Sequence, residues 1–292
     1  MQQDSKRKIL IFLVNTFIFS FIIDFFLMAK DGLANPNAES FLQLAMMMPA
    51  FCVIITQFVT HEKFRSPYLK LNFSHNVGNY TLCYFLIQFL IVFGTIIYFC
   101  IFPHKFDNGL HSMAEALRLE YGQDVDTSGI YSLMLIQIVF SVISGPFFNI
   151  VFSFGEEYGW HGYLFPKLCN IVSPLTASVI CGAVRGIWYA PFIYMGYCYG
   201  IDNRLAGIVA MIISCIFIGF IKSYYTYKTK SVFPAVLMSS AYSVLAQTGV
   251  LFSSEASPNP FIGPSPSGII GGIGIIIFGV YCAVLLRKDN SK

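Results

Sequence analysis

Charged side chains are scarce in this chain of 292 residues. Asp, Glu, Lys and Arg make up 11% of it, whereas roughly a quarter of a typical soluble protein is charged. Hydrophobic residues make up 56%, and the mean hydropathy is +0.66. A soluble protein with this composition would expose large apolar patches, so the composition favours an integral membrane protein whose first partner is the lipid bilayer.

Other absences exclude further classes of protein. The net charge of +3 is small, and the Lys and Arg residues form no patch large enough for nucleic acid, so we expect no nucleic-acid partner. The eight cysteines include no CxxC pair and lie mostly in apolar runs, which is typical of core residues and not of a zinc ribbon or a disulfide framework. The apolar run from Ile9 to Met28 has no small-residue cleavage site, which predicts a retained span.

Long apolar runs are what the sequence does contain. Backbone polar groups in lipid must be paired within helices or closed barrels, and runs of this length without alternating polarity favour helices. The sequence therefore predicts an all-α fold, a polytopic transmembrane helical bundle with about eight spans, near 9–29, 41–60, 79–102, 130–153, 174–196, 205–224, 231–250 and 267–286.

The distribution of Lys and Arg predicts the orientation. With the N-terminus inside, thirteen of these residues fall on inner segments and four on outer ones, which fits the positive-inside rule. Lys222, at the end of the sixth span, is counted among the inner thirteen. We therefore expect a multi-pass protein of the cell membrane with both termini cytoplasmic.

Three regions follow from this pattern. Residues 1–129 hold the first spans and an acidic outer loop, residues 130–250 hold the core, and residues 251–292 hold a loop and the last span. The Ser- and Pro-rich stretch 253–268 predicts an irregular turn. The glycines that follow indicate close helix packing because no strand precedes them, as a nucleotide-binding loop would require; they are Gly268, Gly271, Gly272 and Gly274.

Charged residues inside the predicted spans are few. Glu156 and Glu157 are placed at the cytoplasmic end of the fourth span, and Arg185 lies well inside the fifth. An unpaired arginine at that depth costs at least about 3 kcal/mol, so we predict that Arg185 pairs with one or both carboxylates. Asp24, near the outer end of the first span, is interpreted as an interfacial residue.

Helical spacing brings further polar groups to the same faces. Arg185 and Tyr189 are four residues apart, as are Glu157 and His161, and Ser239 and Ser243. Three segments can thus place polar groups together inside a bundle. The arrangement is compatible with a polar plug that sets the helix register and with a functional site.

These residues lie in stretches that resemble a known family. "GPFFNIVFSFGEEYGWHGYLFPKL" (145–168) resembles the first motif of the CPBP family, also called Abi, which contains CAAX prenyl endopeptidases and bacteriocin-processing membrane proteases. "RGIWYAPF" (185–192) and "TKSVFPAVLMSSAYSV" (229–244) resemble its second and third motifs. The resemblance covers roughly residues 130–250 and implies a CPBP-like core, in which a Glu activates water for attack on a peptide bond and His residues hold the water or a metal.

The departures from the family pattern put catalysis in doubt. The two family histidines fall on Tyr189 and Ser239, the family asparagine on Ser243, the first-motif arginine on His161 and the second-motif Phe on Arg185. Only Glu156 and Glu157 remain of the implied catalytic set. Because a phenol and a hydroxyl ligate zinc poorly, we expect no metal and no other cofactor.

Three functions remain open at this point. The first is a degenerate family member that acts by binding another membrane protein or a lipidated or hydrophobic peptide. The second is an active intramembrane endopeptidase that uses Glu156 and Glu157 as the water-activating base, with His161 as the missing imidazole and Tyr189 donating to an oxyanion. The third is a small transporter, against which stands the lack of an inverted repeat.

Overall fold

The computed structural model describes residues 2–63, 67–111, 143–255 and 257–289, together with five isolated positions between 129 and 140. Within these residues the chain is helical and has no strand beyond one isolated bridge between Phe106 and Ser253, which confirms the predicted all-α fold. The helices are α1 (Gln2–Met28), α2 (Ala38–Val59), α3 (Phe73–Ile101), α4 (Gly145–Glu157), α5 (Phe165–Cys169), α6 (Pro174–Trp188), α7 (Ala190–Tyr194), α8 (Arg204–Thr229), α9 (Phe233–Leu245), α10 (Thr248–Leu251) and α11 (Ile273–Asp289).

Four of these helices, α1, α2, α3 and α8, are long and apolar enough to cross a membrane. The other helices in predicted spans are shorter, with 13 residues in α4, 15 in α6, 13 in α9 and 17 in α11. Most of the first half of the predicted fourth span (130–153) lies outside the described residues. The count of eight spans therefore stays a prediction, while the membrane-embedded helical bundle is established.

The bundle has two distinguishable ends. At one end, which we name the basic face, Lys8 and Lys167 both contact Glu62, and the turn at Val232 bonds to the backbone of Tyr68. At the other, which we name the loop face, the segments 103–107, 197–203 and 253–263 come together; Ser254, for example, bonds to the backbone of Lys105.

Glycines let the central helices approach each other closely. A Cβ atom at Gly182 of α6 would lie 2.7 Å from the Cα of Ile216, and one at Gly186 would lie 2.5 Å from the Cα of Ile212, both in α8. Gly159, just beyond α4, meets Pro49 of α2 in the same way, at 2.3 Å. Small residues at such spacings favour helix association in lipid because backbones can pack directly.

The chain does not leave the bundle after the paired carboxylates. A π-helical segment, Tyr158–Leu164, joins α4 to α5, so the helical run continues to Cys169, 12 residues after Glu157. At about 1.5 Å per residue the carboxylates lie roughly 18 Å from that end. The predicted position at the end of the fourth span is therefore wrong: Glu156 and Glu157 lie deep within the bundle.

The stretch 253–268 is irregular, as predicted, but it is not only a surface turn. Residues 263–266 are buried, and the Pro264 carbonyl accepts a hydrogen bond from Thr95 in α3. The predicted close packing of the following glycines is confirmed, since a Cβ at Gly271 would lie 2.2 Å from the Ser265 carbonyl oxygen. The last helix accordingly begins at Ile273 instead of residue 267.

Asp24 is turned into the protein. Its side chain is 1% exposed, and it lies one helical turn after Ser20, whose hydroxyl accepts a hydrogen bond from Trp188 Nε1 at 2.8 Å. Neither carboxyl oxygen of Asp24 has a hydrogen-bond partner among the described residues. The interpretation of Asp24 as an interfacial residue stays a prediction, and the structure adds that its carboxyl group faces the protein interior.

Candidate functional site

Glu157 is the most enclosed carboxylate in the described part of the molecule. Its side chain is 0% exposed, and its Oε1 accepts a hydrogen bond from Lys222 Nζ at 2.8 Å and another from the Ser239 hydroxyl. Its Oε2 contacts His161 Nδ1. Both oxygens of Glu157 are thus engaged by groups from the π-helical segment, α8 and α9.

Glu156 faces a different pair of partners. Its Oε1 accepts a hydrogen bond from Arg185 Nε at 2.7 Å and another from the Tyr189 hydroxyl at 3.0 Å. Its Oε2 accepts no hydrogen bond from the described residues. The predicted four-residue spacing of Arg185 and Tyr189 therefore does place both side chains on one carboxylate.

Arg185 links the two carboxylates, as predicted. Besides the bond from its Nε to Glu156, its Nη1 lies 3.3 Å from Oε1 of Glu157. Arg185 is 7% exposed, and its guanidinium carbon lies 5.9 Å from the centre of the Tyr189 ring. An arginine inside the bundle is stabilised because a negative charge and an aromatic face are both within reach.

Lys222 is the residue that sequence reasoning missed. It was counted among the cytoplasmic cations, yet it is 1% exposed and its Nζ contacts both Glu157 and Ser239. The one available signal was its position: α8 continues for seven residues beyond Lys222, to Thr229, so the lysine lies inside a helix of 26 residues. Helix length alone does not reveal which neighbour the side chain meets.

The remaining predicted site residues divide into two groups. His161 and Ser239 contact Glu157, as described above. Ser243 contacts neither carboxylate; its hydroxyl donates to the Ser239 carbonyl oxygen at 3.0 Å. Ser243 lines a neighbouring cavity of about 110 Å³, together with Arg185, Tyr189 and Lys222.

The charges at the centre of the bundle balance. We name Glu156, Glu157, Arg185 and Lys222 the central cluster; its two carboxylates face its two cations at salt-bridge distance. This arrangement lowers the cost of burying each charge, since every ion has an opposite partner and further hydrogen bonds. It also means that both carboxylates are occupied by protein cations.

The residues of this site do not fit a metal ion. Divalent zinc needs deprotonated His, Cys or carboxylate ligands with free lone pairs. Here the carboxylates are held by Arg185 and Lys222, and His161 is the one imidazole in contact with them. Across the described residues there is no group of three His, Cys, Asp or Glu side chains placed to hold a metal.

Aromatic packing surrounds the π-helical segment. Trp160 and Trp188 are both 0% exposed and meet edge to face, with ring centres 5.8 Å apart. The His161 ring lies 6.2 Å from the ring of Phe165, and its Nε2 is buried without a hydrogen-bond partner in the described part of the chain. On this side the carboxylates are therefore sealed from solvent by large apolar side chains.

Comparison with known proteins agrees with this arrangement of motifs. Residues 131–245 match the family described as type II CAAX prenyl endopeptidase Rce1-like. This match supports the resemblance to the CPBP (Abi) family over that segment. The matched residues include both carboxylates and the five groups that contact them, which are His161, Arg185, Tyr189, Lys222 and Ser239. No curated protein matches the chain.

Proposed function

We propose that this CPBP-like protein is a binding protein of the membrane and not a peptidase. It would act by holding another membrane protein or a lipidated or hydrophobic peptide on an intramembrane protease scaffold. The main observation in support is the cavity next to the central cluster: Arg185, Tyr189, Lys222 and Ser239 line it, whereas Glu156, Glu157 and His161 do not.

The placement of the cations between the cavity and the carboxylates opposes hydrolysis. A Glu acting as general base must contact the attacking water, and its pKa must approach the working pH. Water in the cavity meets the two cations first, and the carboxylates lie behind them. Hydrogen bonds from Arg185 and Lys222 also occupy Oε1 of Glu156 and Oε1 of Glu157, respectively, so these oxygen atoms are already engaged.

One observation favours the second candidate, an active endopeptidase. With Nδ1 of His161 donating to an ionised Glu157, Nε2 is an acceptor without a partner, and Oε2 of Glu156 is also free of hydrogen bonds from described residues. These two atoms are the ones that a nucleophilic water would need. For Nε2 to meet water, however, the aromatic side chains around it would have to move.

The test is hydrolysis of a prenylated CAAX-type peptide by the purified protein in lipid nanodiscs. We expect the peptide to be bound without cleavage, measured by mass spectrometry of the peptide and by co-purification. The control variant is Glu62→Gln, which removes a carboxylate at the basic face. Cleavage that is lost in Glu156→Gln and kept in Glu62→Gln would overturn the proposal in favour of the endopeptidase.

A variant carrying the residues that the family resemblance implies sharpens the test. Arg185→Phe, Tyr189→His and Ser239→His together remove one cation and introduce two imidazoles next to the carboxylates. If cleavage appears in this variant and is absent from the unmodified protein, loss of the imidazoles explains the loss of activity. In a separate measurement, elemental analysis should find no stoichiometric zinc in the unmodified protein and none in its Glu157→Gln variant.

We further propose that the basic face is cytoplasmic and that the protein lies in the cell membrane. The support is the predicted excess of Lys and Arg on inner segments, combined with the contacts of Lys8 and Lys167 at one end of the bundle. Labelling of cysteines from either side of oriented vesicles, described below, tests this orientation.

A further inference from the structure

The cavity beside the central cluster continues to the loop face. The cavity of about 110 Å³ shares Cys198, Gln247 and Ser265 with a larger groove of about 940 Å³. The groove lies between residues 198–203 and the stretch 255–263, and it opens at the loop face. A path therefore leads from that face to Arg185 and Lys222, whereas aromatic residues close the other side of the carboxylates.

The wall of this path is held in place by hydrogen bonds. The Ser267 carbonyl accepts hydrogen bonds from the Tyr199 hydroxyl at 3.0 Å and from the Ser214 hydroxyl at 3.4 Å. The hydroxyls of Ser265 and Ser267 lie 2.8 Å apart. These bonds tie the buried part of the 253–268 stretch to Ser214 in α8 and to Tyr199 in the 197–203 segment, so the cavity has a defined wall.

Arg185 presents unused donors to the cavity. Its Nε donates to Glu156, but its Nη2 makes no hydrogen bond to any described residue, and its Nη1 lies 3.3 Å from Glu157 without a hydrogen bond. Arg185 is 7% exposed and lines the cavity, and neither Nη atom is among the described side-chain atoms that are fully buried without a partner, so its remaining exposure faces the cavity. A guanidinium carries five N–H donors, so the Nη groups can donate to an oxygen atom of a ligand in the cavity.

The charge of the cluster selects an uncharged ligand. Two carboxylates and two cations sum to zero with His161 neutral. An anion or a cation added to a balanced buried cluster would leave one charge without a partner, and that costs far more than burying a neutral acceptor. The hydroxyl of Tyr242, which also lines the cavity and has no described hydrogen-bond partner, can serve the same kind of ligand.

We propose that this cavity binds an uncharged ligand through an amide-type carbonyl oxygen, which enters from the loop face and accepts hydrogen bonds from the Nη groups of Arg185. This inference deepens the proposed function, since it takes both carboxylates as neutralised by Arg185 and Lys222. It adds the side of entry, the recognising residue and the charge of the group that is recognised.

The first experiment compares two buried thiols. Cys215 of α8 is 5% exposed and lines the cavity, whereas Cys181 of α6 is 1% exposed and its Sγ contacts the Trp160 carbonyl oxygen. Two variants would each keep one of these cysteines, with the other seven replaced by alanine. Methyl methanethiosulfonate, a small neutral reagent, should modify Cys215 faster than Cys181, as followed by mass spectrometry of the intact folded protein. Equal rates would overturn the open path.

The second experiment tests the class of ligand with small probes that differ in charge. Acetamide should slow the modification of Cys215 about threefold at roughly twice its dissociation constant, and acetate and methylammonium at the same concentration should not. Arg185→Lys, which keeps the charge but removes the Nη groups, should abolish this protection. The assignment would be overturned if acetate protected Cys215 as well as acetamide does. It would also be overturned if acetamide gave no protection at any concentration that leaves the reactivity of Cys181 unchanged.

The third experiment tests the side of entry. Gln247 lines both the cavity and the groove, so Gln247→Trp should narrow the passage between them. This change should slow the modification of Cys215 and leave that of Cys181 unchanged. In oriented vesicles, a membrane-impermeant thiol reagent should reach Cys198 from one side and Cys169, near the basic face, from the other. Modification of Cys215 that Gln247→Trp does not slow would contradict entry from the loop face. None of these outcomes depends on peptide cleavage, so the proposed function can fail or stand separately.

Discussion

Two ion clusters in this molecule use the same chemistry in different surroundings. In the central cluster, Lys222 and Arg185 hold carboxylates whose side chains are 0–2% exposed. At the basic face, Lys8 and Lys167 contact Glu62, where all three side chains are 16–18% exposed, and the Tyr163 hydroxyl donates to Glu62 at 2.9 Å. In each cluster a lysine pairs with a carboxylate, and one carboxylate also accepts a hydrogen bond from a tyrosine hydroxyl, Tyr189 to Glu156 and Tyr163 to Glu62.

The clusters differ in whether water can solvate a charge that has lost its ion-pair partner. If one partner is removed at the basic face, solvent can approach the remaining charges. If one partner is removed in the central cluster, the remaining charge stays buried in apolar surroundings, and the penalty is several times larger. Burial, and not the number of ion pairs, should therefore decide how strongly each cluster resists substitution.

The largest effect is expected for Arg185→Leu. This change leaves Glu156 without its cation and should lower the free energy of unfolding by about 3–5 kcal/mol. Unfolding in mixed micelles with increasing denaturing detergent would measure it. Adding Glu156→Gln should restore part of the loss, whereas adding Glu157→Gln should not, because Glu157 would still be needed by Lys222. Equal rescue by both would contradict the pairing of Arg185 with Glu156.

A smaller effect is expected for Lys222→Met. Glu157 would keep its contacts with Ser239, His161 and Nη1 of Arg185, so the loss should be near the lower end of the range for a buried pair, about 3 kcal/mol. The same unfolding assay applies, and here Glu157→Gln should be the rescuing change. Should Lys222→Met be as stable as the unmodified protein, Lys222 would not be a member of the buried cluster.

Glu62→Gln at the basic face should cost no more than about 1 kcal/mol, because water can solvate Lys8 and Lys167 in its place. Raising the salt concentration should shrink this difference, since exposed pairs are screened. The loss in Arg185→Leu should change little under the same conditions. A salt-independent cost for Glu62→Gln would show that the two clusters are equivalent.

The smallest effect concerns pH. Burial raises the pKa of Glu62, but the hydrogen bonds from Lys167 and Tyr163 outweigh it and hold the pKa below its usual range. The contribution of Glu62 to stability is therefore present above the ordinary glutamate pKa of about 4.3 and is lost as the pH falls through the lower folded value. The stability difference between the unmodified protein and Glu62→Gln should accordingly shrink on acidification below about pH 4.

Two inferences show how far the sequence predicts the fold. Low charge and long apolar runs indicated a helical membrane bundle, and the depth of Arg185 in one of these runs predicted its pairing with Glu156 and Glu157. Both inferences rest on solvation, because lipid leaves an unpaired charge or backbone group no alternative partner. The cost of leaving a charge or backbone group unpaired in lipid is similar at every position along the chain. The need for a partner can therefore be predicted from composition and spacing.

Lys222, Asp24 and Ser243 illustrate what only the tertiary structure decided. Their neighbours depend on the rotation and axial shift of each helix against the next, and close contacts such as those of the α6 glycines with α8 fix these positions locally. A lysine near the end of an apolar run looks the same in the sequence whether it reaches solvent or turns to Glu157. The sequence by itself determined that the membrane-embedded charges need partners; packing between helices determined which charges meet, because relative helix positions depend on contacts between residues far apart in the chain.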